Sequence, residues 1–314
     1  MKAVTIVDQQ IEIRDHPDPE PGKGELLVRA RAAGINNADL MQVQGFYPAP
    51  TGSPADIPGM ELAGEVVALG EGVTGFAEGD RVMAVVGGGA QAELVLLHER
   101  VAMRVPESVP SPEAGGFPEV FLTAHDALFT QGGVTIGDRV LVHGAAGGVG
   151  TAAVQLAAAA GARVTASVRN ERLWDGVARL GAAEVVAHDD FAERGPYDVI
   201  LELVGGVNMA ANMAALNQRG RIVVIGVGAG ASAQVDLLTV MAKGAVITGS
   251  TMRARPLEQK ALVSRRAETH VVPLLADGVV RVLIEDTYPM KDASAAYERF
   301  AQGGKLGKIV LVID

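Results

Sequence analysis

The chain has 314 residues, a formal net charge of −10 and no cysteine, and 48% of it is hydrophobic with 4% aromatic. The acidic balance argues against nucleic acid or an anionic membrane surface as a partner. The missing thiols exclude disulfides, thiolate metal sites and a cysteine nucleophile, and the length suits two modest domains.

The opening MKAVTIVDQQ has no charged n-region followed by an apolar h-region, so no secretory leader is expected. The most apolar stretches are short, Ala-rich and broken by Gly, which predicts no membrane span and a cytoplasmic protein. Residues 1 to about 115 read as short strands at 26–33, 64–69, 81–85 and 92–96. Turn signals at Pro21-Gly22, Gly70-Glu71-Gly72 and Glu78-Gly79-Asp80 separate them, predicting an irregular, partly closed β domain.

From Phe117 the pattern changes. A helix is expected over 120–131, then six short β-branched runs at 139–143, 163–168, 184–187, 198–203, 221–227 and 245–248. Helical segments separate most of them, as in a doubly wound parallel sheet. A helix over 256–277 follows, then a segment 280–284, a helix over 291–301 and a strand over 308–313. The expected organisation is an α/β dinucleotide domain, 118–255, inserted in a catalytic domain formed by 1–117 and 256–314. The cleft between the two is the expected site.

The strand ending at His143 runs into a Gly-rich turn and then a helix. Its fingerprint is AxGxxG, with Ala145 where a first glycine is usual. Gly147 lets the backbone approach a pyrophosphate and Gly150 lets helix and strand pack; Gly148 and Val149 open the helix, whose free N–H groups suit phosphate. An NAD site wants Asp or Glu about 20 residues on, at the end of the second strand. Here Ser167, Arg169 and then Arg172 stand there instead. A hydroxyl and guanidinium groups suit a 2′-phosphate, so NADP(H) is the expected cofactor. The competing reading makes these arginines solvated surface charges. Val204 and Gly205 end the fourth core strand and Gly226 the fifth, at the carboxyl ends where ligands bind in such sheets; each is otherwise a plain Gly-rich loop.

Residues 143–157 (HGAAGGVGTAAVQLA) resemble the nucleotide turn of quinone oxidoreductases and zeta-crystallins, within the medium-chain dehydrogenase/reductase family. Residues 36–47 (NNADLMQVQGFY), 87–92 (GGGAQA) and 118–124 (PEVFLTA) resemble the p53-inducible quinone oxidoreductase subgroup, and 307–311 (GKIVL) is also typical. The resemblance covers nearly the whole chain. It implies a Rossmann nucleotide domain in a partly closed, barrel-like GroES-like domain. Zinc-dependent relatives carry Cys and His where this chain has Asn36 and Met60, neither of which replaces thiolate or imidazole. The six histidines show no ligand spacing, so no metal is expected.

Without a metal or an obvious general base to stabilise an alkoxide, conjugate reduction is the favoured chemistry. A quinone or α,β-unsaturated carbonyl accepts hydride readily and delocalises the charge. The resemblance places Asn36, Tyr47 and Thr123 near the substrate and nicotinamide. Tyr47 is either a donor to a carbonyl or a half-buried loop tyrosine. Asn36 orients a carbonyl or ribose, caps a helix, or does both. Thr123 touches the nicotinamide ribose or bonds its own helix. Ser250 and Thr251 resemble the segment whose backbone meets the nicotinamide amide. His188 stands where relatives often carry Tyr and is expected to face solvent.

Three functions follow: an NADPH:quinone reductase, an enoyl or alkenal double-bond reductase with the same fold and cofactor, and a non-catalytic NADPH-binding structural protein. A small-molecule quinone or unsaturated carbonyl is the expected partner. The apolar run 245–248 would be an exposed edge, which predicts a homodimer.

Overall fold

The computed structural model describes residues 1–314. The first strands are β1 (Lys2–Val7), β2 (Gln10–Asp15) and β3 (Glu25–Gly34), followed by helix α1 (Asn37–Val43). Strands β4 (Glu61–Leu69), β5 (Arg81–Val85), β6 (Leu94–His98) and β7 (Met103–Arg104) precede helices α2 (Ser111–Gly116) and α3 (Pro118–His125). The next stretch alternates: β8 (Arg139–Val142), α4 (Gly148–Ala159), β9 (Arg163–Ser167), α5 (Trp174–Ala178), β10 (Glu184–Val186) and β11 (Tyr197–Glu202). Helix α6 (Met209–Ala215), β12 (Leu216–Val224), α7 (Leu237–Lys243) and β13 (Val246–Gly249) continue it. The chain closes with α8 (Leu257–His270), α9 (Val272–Ala276), β14 (Ile284–Pro289), α10 (Ala293–Ala301) and β15 (Lys308–Val312).

These elements form two compact units. One holds Met1–Leu122, Met252–Gly304 and Lys308–Asp314; the other holds Thr123–Thr251 and Lys305–Gly307. In the first, a seven-stranded sheet runs β14-β15-β3-β4-β5-β7, with β6 also paired to β3. It is GroES-like and not a closed barrel, because its path begins at β14 and ends at β7. Strand β3 alternates buried and half-buried side chains, as expected of a strand covered on one face. Its core is built mostly of small and branched residues such as Val28, Ala30, Leu62, Val82, Ala84 and Leu311.

The second unit is a six-stranded parallel sheet in the order β10-β9-β8-β11-β12-β13. Numbered from its own first strand, this is the 3-2-1-4-5-6 order of dinucleotide-binding sheets, in which the order reverses between the first and fourth strands. Strands β8, β9 and β11 are buried almost throughout, as a sheet covered on both faces requires. The sixth strand differs. Val246 and Ile247 on β13 are exposed, and so are Leu237, Leu238 (75%) and Met241 (76%) on the adjoining α7.

Two details depart from the sequence expectations. The helix expected over 120–131 changes pitch: α3 gives way to a π-turn over Asp126–Gln131, and Gly132 N–H bonds Ala127 O, five residues back. The helix expected over 256–277 is two, because Pro273 opens α9. Of the segment 280–284, only Ile284 joins a strand, as the first residue of β14. No helix is long and apolar enough to cross a membrane.

Candidate functional site

In the second unit β8 ends at Val142, and Gly144 takes a left-handed conformation at φ 57°. The chain then turns sharply, with Gly147 N–H on Gly144 O at 3.0 Å, and α4 begins. The first intrahelical bond is Thr151 N–H to Gly147 O at 2.8 Å. The N–H groups of Gly148, Val149 and Gly150 therefore lie ahead of it, at the positive end of a helix of 12 residues. A Cβ on Gly150 would sit 2.4 Å from Gly144 O and 2.6 Å from Ala145 Cα, so only glycine lets helix and turn pack this closely. A Cβ on Gly147 would stand 3.4 Å from Gly144 O, an ordinary van der Waals contact, so the protein's own packing does not demand glycine there. Ala145 is buried, and its N–H donates to Ser167 O at 3.2 Å. That bond ties the Gly-rich turn to the end of β9.

Ser167 is 2% exposed. Arg169 and Arg172 lie just beyond it on the surface, and neither guanidinium forms an ion pair. Trp174 holds this loop from beneath through Nε1–H on Val168 O at 3.1 Å. His188 is exposed and lies 3.7 Å from Asp189. The backbone N–H groups at the start of α4, the close packing at Gly150 and the uncompensated arginines beyond β9 fit a dinucleotide.

The loop after β11 carries Val204 and Gly205. Gly205 has φ 139° and ψ −166°, a region essentially confined to glycine. Gly226, after β12, donates its N–H to Glu202 O at 3.1 Å. Ser250, after β13, donates its N–H to Val224 O at 3.2 Å and its hydroxyl to Asp126 at 3.3 Å, so the π-turn is tied to this loop. Thr251 is exposed, whereas Thr123 is buried on α3.

In the first unit Asn36 stands at the N-cap of α1, and its N–H donates to Asp39 at 2.8 Å. Its side chain is fixed by two charges. Lys308 Nζ, a donor only, lies 2.7 Å from Asn36 Oδ1; Glu61 Oε1, an acceptor only, lies 2.9 Å from Asn36 Nδ2. The amide orientation follows from that pair of partners. Lys308 (3% exposed) also reaches Glu61 Oε1 at 2.7 Å and Ile35 O at 2.8 Å, so all three ammonium protons are used. The other oxygen of Glu61 accepts from Glu119 N–H at 2.8 Å. Asn36 is left with one Nδ2–H to offer. Burial pushes Asp39 up to about 6, although Asn36 N–H and the Lys308 and Arg253 cations oppose it.

Tyr47 is half-buried and is held by Arg253, which is almost fully buried. Arg253 donates to Gly87 O at 2.7 Å, to Tyr47 O at 3.0 Å and to Gln42 Oε1, and its guanidinium lies 5.2 Å from the Tyr47 ring centre. One side chain thus anchors the Tyr47 loop to the Gly87 loop.

Zinc does not fit here. Asn36 spends its oxygen on a lysine cation that would repel a metal, and Met60 is a buried thioether. No group of three or more His, Asp or Glu residues is arranged to hold a metal ion.

The fold and the Gly-rich turn define a nicotinamide-dinucleotide-dependent oxidoreductase. Residues 22–107 match the alcohol dehydrogenase GroES-like domain, and residues 180–311 match the zinc-binding dehydrogenase domain. The chain is 30% identical over 309 residues to quinone oxidoreductase of Sus scrofa, covering 94% of this chain and 91% of that protein. It is 35% identical over 309 residues to the pikromycin polyketide synthase component PikAII of Streptomyces venezuelae, of which it spans only 8%. A mycobacterial protein solved in complex with NADPH superposes with a TM-score of 0.87 at 28% identity, covering 99% of this chain and 100% of that one. The chain belongs to the medium-chain dehydrogenase/reductase family, among the quinone oxidoreductases.

Several residues of these networks escaped the sequence reading. Lys308 lies inside the quoted 307–311 motif, Glu61 directly follows Met60, and Glu202 follows the apolar run Val199-Ile200-Leu201. A charge in an apolar run was the available signal, since such residues are almost never buried without partners. Arg253 carried no such signal, because nothing in its neighbouring sequence marks it as buried.

Proposed function

We propose that this protein is an NADPH-dependent, metal-independent reductase of quinones. The observation that carries the reading is the Asn36 amide, held by Lys308 and Glu61 with a single N–H left over. NADPH, when bound, supplies a hydride to the acceptor. The N–H groups of Gly148, Val149 and Gly150 would hold the pyrophosphate, and Arg169 and Arg172 would pair with the 2′-phosphate. The remaining Asn36 N–H donates to the acceptor oxygen on which negative charge develops, and Tyr47 lines the acceptor's ring. Solvent supplies the proton that completes the hydroquinone.

The similarity to a polyketide synthase supports a second reading of the same site, reduction of an unsaturated carbonyl. In that reading the β-carbon would accept the hydride, Asn36 would steady the enolate oxygen, and the α-carbon would take its proton from solvent.

The test is oxidation of NADPH and NADH in the presence of EDTA, with 1,4-benzoquinone, 9,10-phenanthrenequinone and 2-hexenal as acceptors. Quinone-dependent turnover that prefers NADPH and ignores EDTA is expected. Turnover of 2-hexenal alone would replace the first reading by the second, and loss of activity with EDTA would overturn both.

The exposed apolar side chains of β13 and α7 support a homodimer joined along that edge. Light scattering on wild-type protein is expected to give a dimer and on Val246→Lys a monomer. A monomeric wild type would retire the assignment.

A further inference from the structure

Glu202, at the end of β11, is fully buried, no lysine or arginine pairs with it, and the one basic side chain beside it is His143, whose Nε2 lies 3.6 Å from a carboxylate oxygen. Its carboxylate is neutralised by dipoles. One oxygen accepts the N–H groups of Val204 at 2.7 Å and Gly205 at 2.8 Å. The other accepts Asn212 Nδ2 at 2.8 Å, and Asn208 Nδ2 lies 3.2 to 3.3 Å from both. The backbone oxygen of Glu202 meanwhile accepts Ile225 N–H at 2.9 Å and Gly226 N–H at 3.1 Å. One residue therefore grips the loop after β11 by its side chain and the loop after β12 by its main chain.

The network reaches a third loop. Because Asn212 turns its NH2 to the carboxylate, its oxygen faces His143 Nε2 at 2.8 Å. His143 must therefore carry its proton on Nε2. Burial holds the His143 pKa below its ordinary value against the pull of Glu202, and the ring packs edge-on against Phe191 at 4.5 Å. His143 immediately precedes Gly144, where the Gly-rich turn begins.

We propose that Glu202, with Asn212 and His143, is a positioning group that sets the shape of the loops after β11 and β12, which receive the nicotinamide half of the dinucleotide, and ties them to the start of the Gly-rich turn. This rests on reading the second unit as the dinucleotide-binding one. In a sheet of this order the ribose carrying the 2′ substituent lies by the second strand, here β9. The loops after β11 and β12 are on the opposite side of the switch point and serve the other half. Glu202 accepts only N–H donors, so Glu202→Gln keeps the shape but turns an NH2 toward one set of them. A second change, Asn212→Asp, gives that NH2 an acceptor again and still receives His143 Nε2–H.

The test is calorimetric titration of the full-length wild type, Glu202→Gln and the Glu202→Gln/Asn212→Asp double variant. The probes are NADPH against 2′,5′-ADP, with NADH against 5′-AMP in parallel. Glu202→Gln is expected to weaken the dinucleotide roughly tenfold or more, the scale of a lost charged hydrogen bond. The matching adenosine fragment should bind as before, and the double variant should recover most of the loss. Equal weakening of dinucleotide and fragment, unchanged dinucleotide affinity, or no recovery in the double variant would overturn the proposal. A wild type that binds neither dinucleotide would instead overturn the nucleotide reading beneath it.

Discussion

Lys308 Nζ lies 2.7 Å from Oδ1 of Asn36 and 2.7 Å from Oε1 of Glu61, so one buried ammonium orients the amide and balances the carboxylate beside it. Removing the cation alone leaves Glu61 as an uncompensated buried charge. Lys308→Met is expected to cost about 3–5 kcal/mol, whereas adding Glu61→Gln should restore much of it. Urea denaturation of the two single variants and the double variant measures this. Additive losses would show that the two groups do not depend on each other.

Arg169 and Arg172 are surface cations without carboxylate partners. If they hold a 2′-phosphate, the Arg169→Ala/Arg172→Ala double variant should raise KM for NADPH by roughly ten- to a hundredfold, as expected for lost charge-assisted hydrogen bonds. KM for NADH should stay nearly constant. Steady-state kinetics with both cofactors reads the ratio, and an equal change in the two would mean the arginines do not discriminate between them.

Arg253 grips the Tyr47 and Gly87 loops with a planar fork that lysine cannot reproduce. Arg253→Lys should cost about 2–3 kcal/mol, since buried carbonyls lose their donor. It should also raise KM for the acceptor more than KM for NADPH. Thermal unfolding and acceptor kinetics test the two parts. Unchanged acceptor KM would reduce Arg253 to a stabilising residue.

Asp39 has its pKa raised from 3.8 to about 6 by burial. Its protonated form is therefore favoured in the folded state. Stability from this group is fully present below about pH 4 and is lost as pH rises through about 6, a change on the order of 3 kcal/mol. Asp39→Asn should flatten that part of the profile of unfolding free energy against pH. The same slope in the variant would assign it elsewhere.

The parallel sheet was legible because its strands are short, apolar and separated by helical segments, and because the turn from His143 to Gly150 carries spacing with a mechanical reason. The interior partners were less legible. Lys308 meets Asn36 across 272 residues of sequence, and Arg253 meets Gln42 across 211. No local periodicity encodes such pairings. The π-turn at Asp126 was hidden because a wider helical turn uses the same residue types as an α-helix. The β1–β2 hairpin was missed because its turn, Asp8-Gln9, takes positive φ without glycine.

The central claim is direct hydride transfer to a conjugated acceptor without a metal. Its most direct test is the rate of quinone reduction by the EDTA-treated enzyme with NADPH deuterated at the transferred position, under single-turnover conditions. A primary isotope effect with no semiquinone signal is predicted. Reduction that shows no isotope effect, proceeds through a semiquinone or needs added metal would contradict the account.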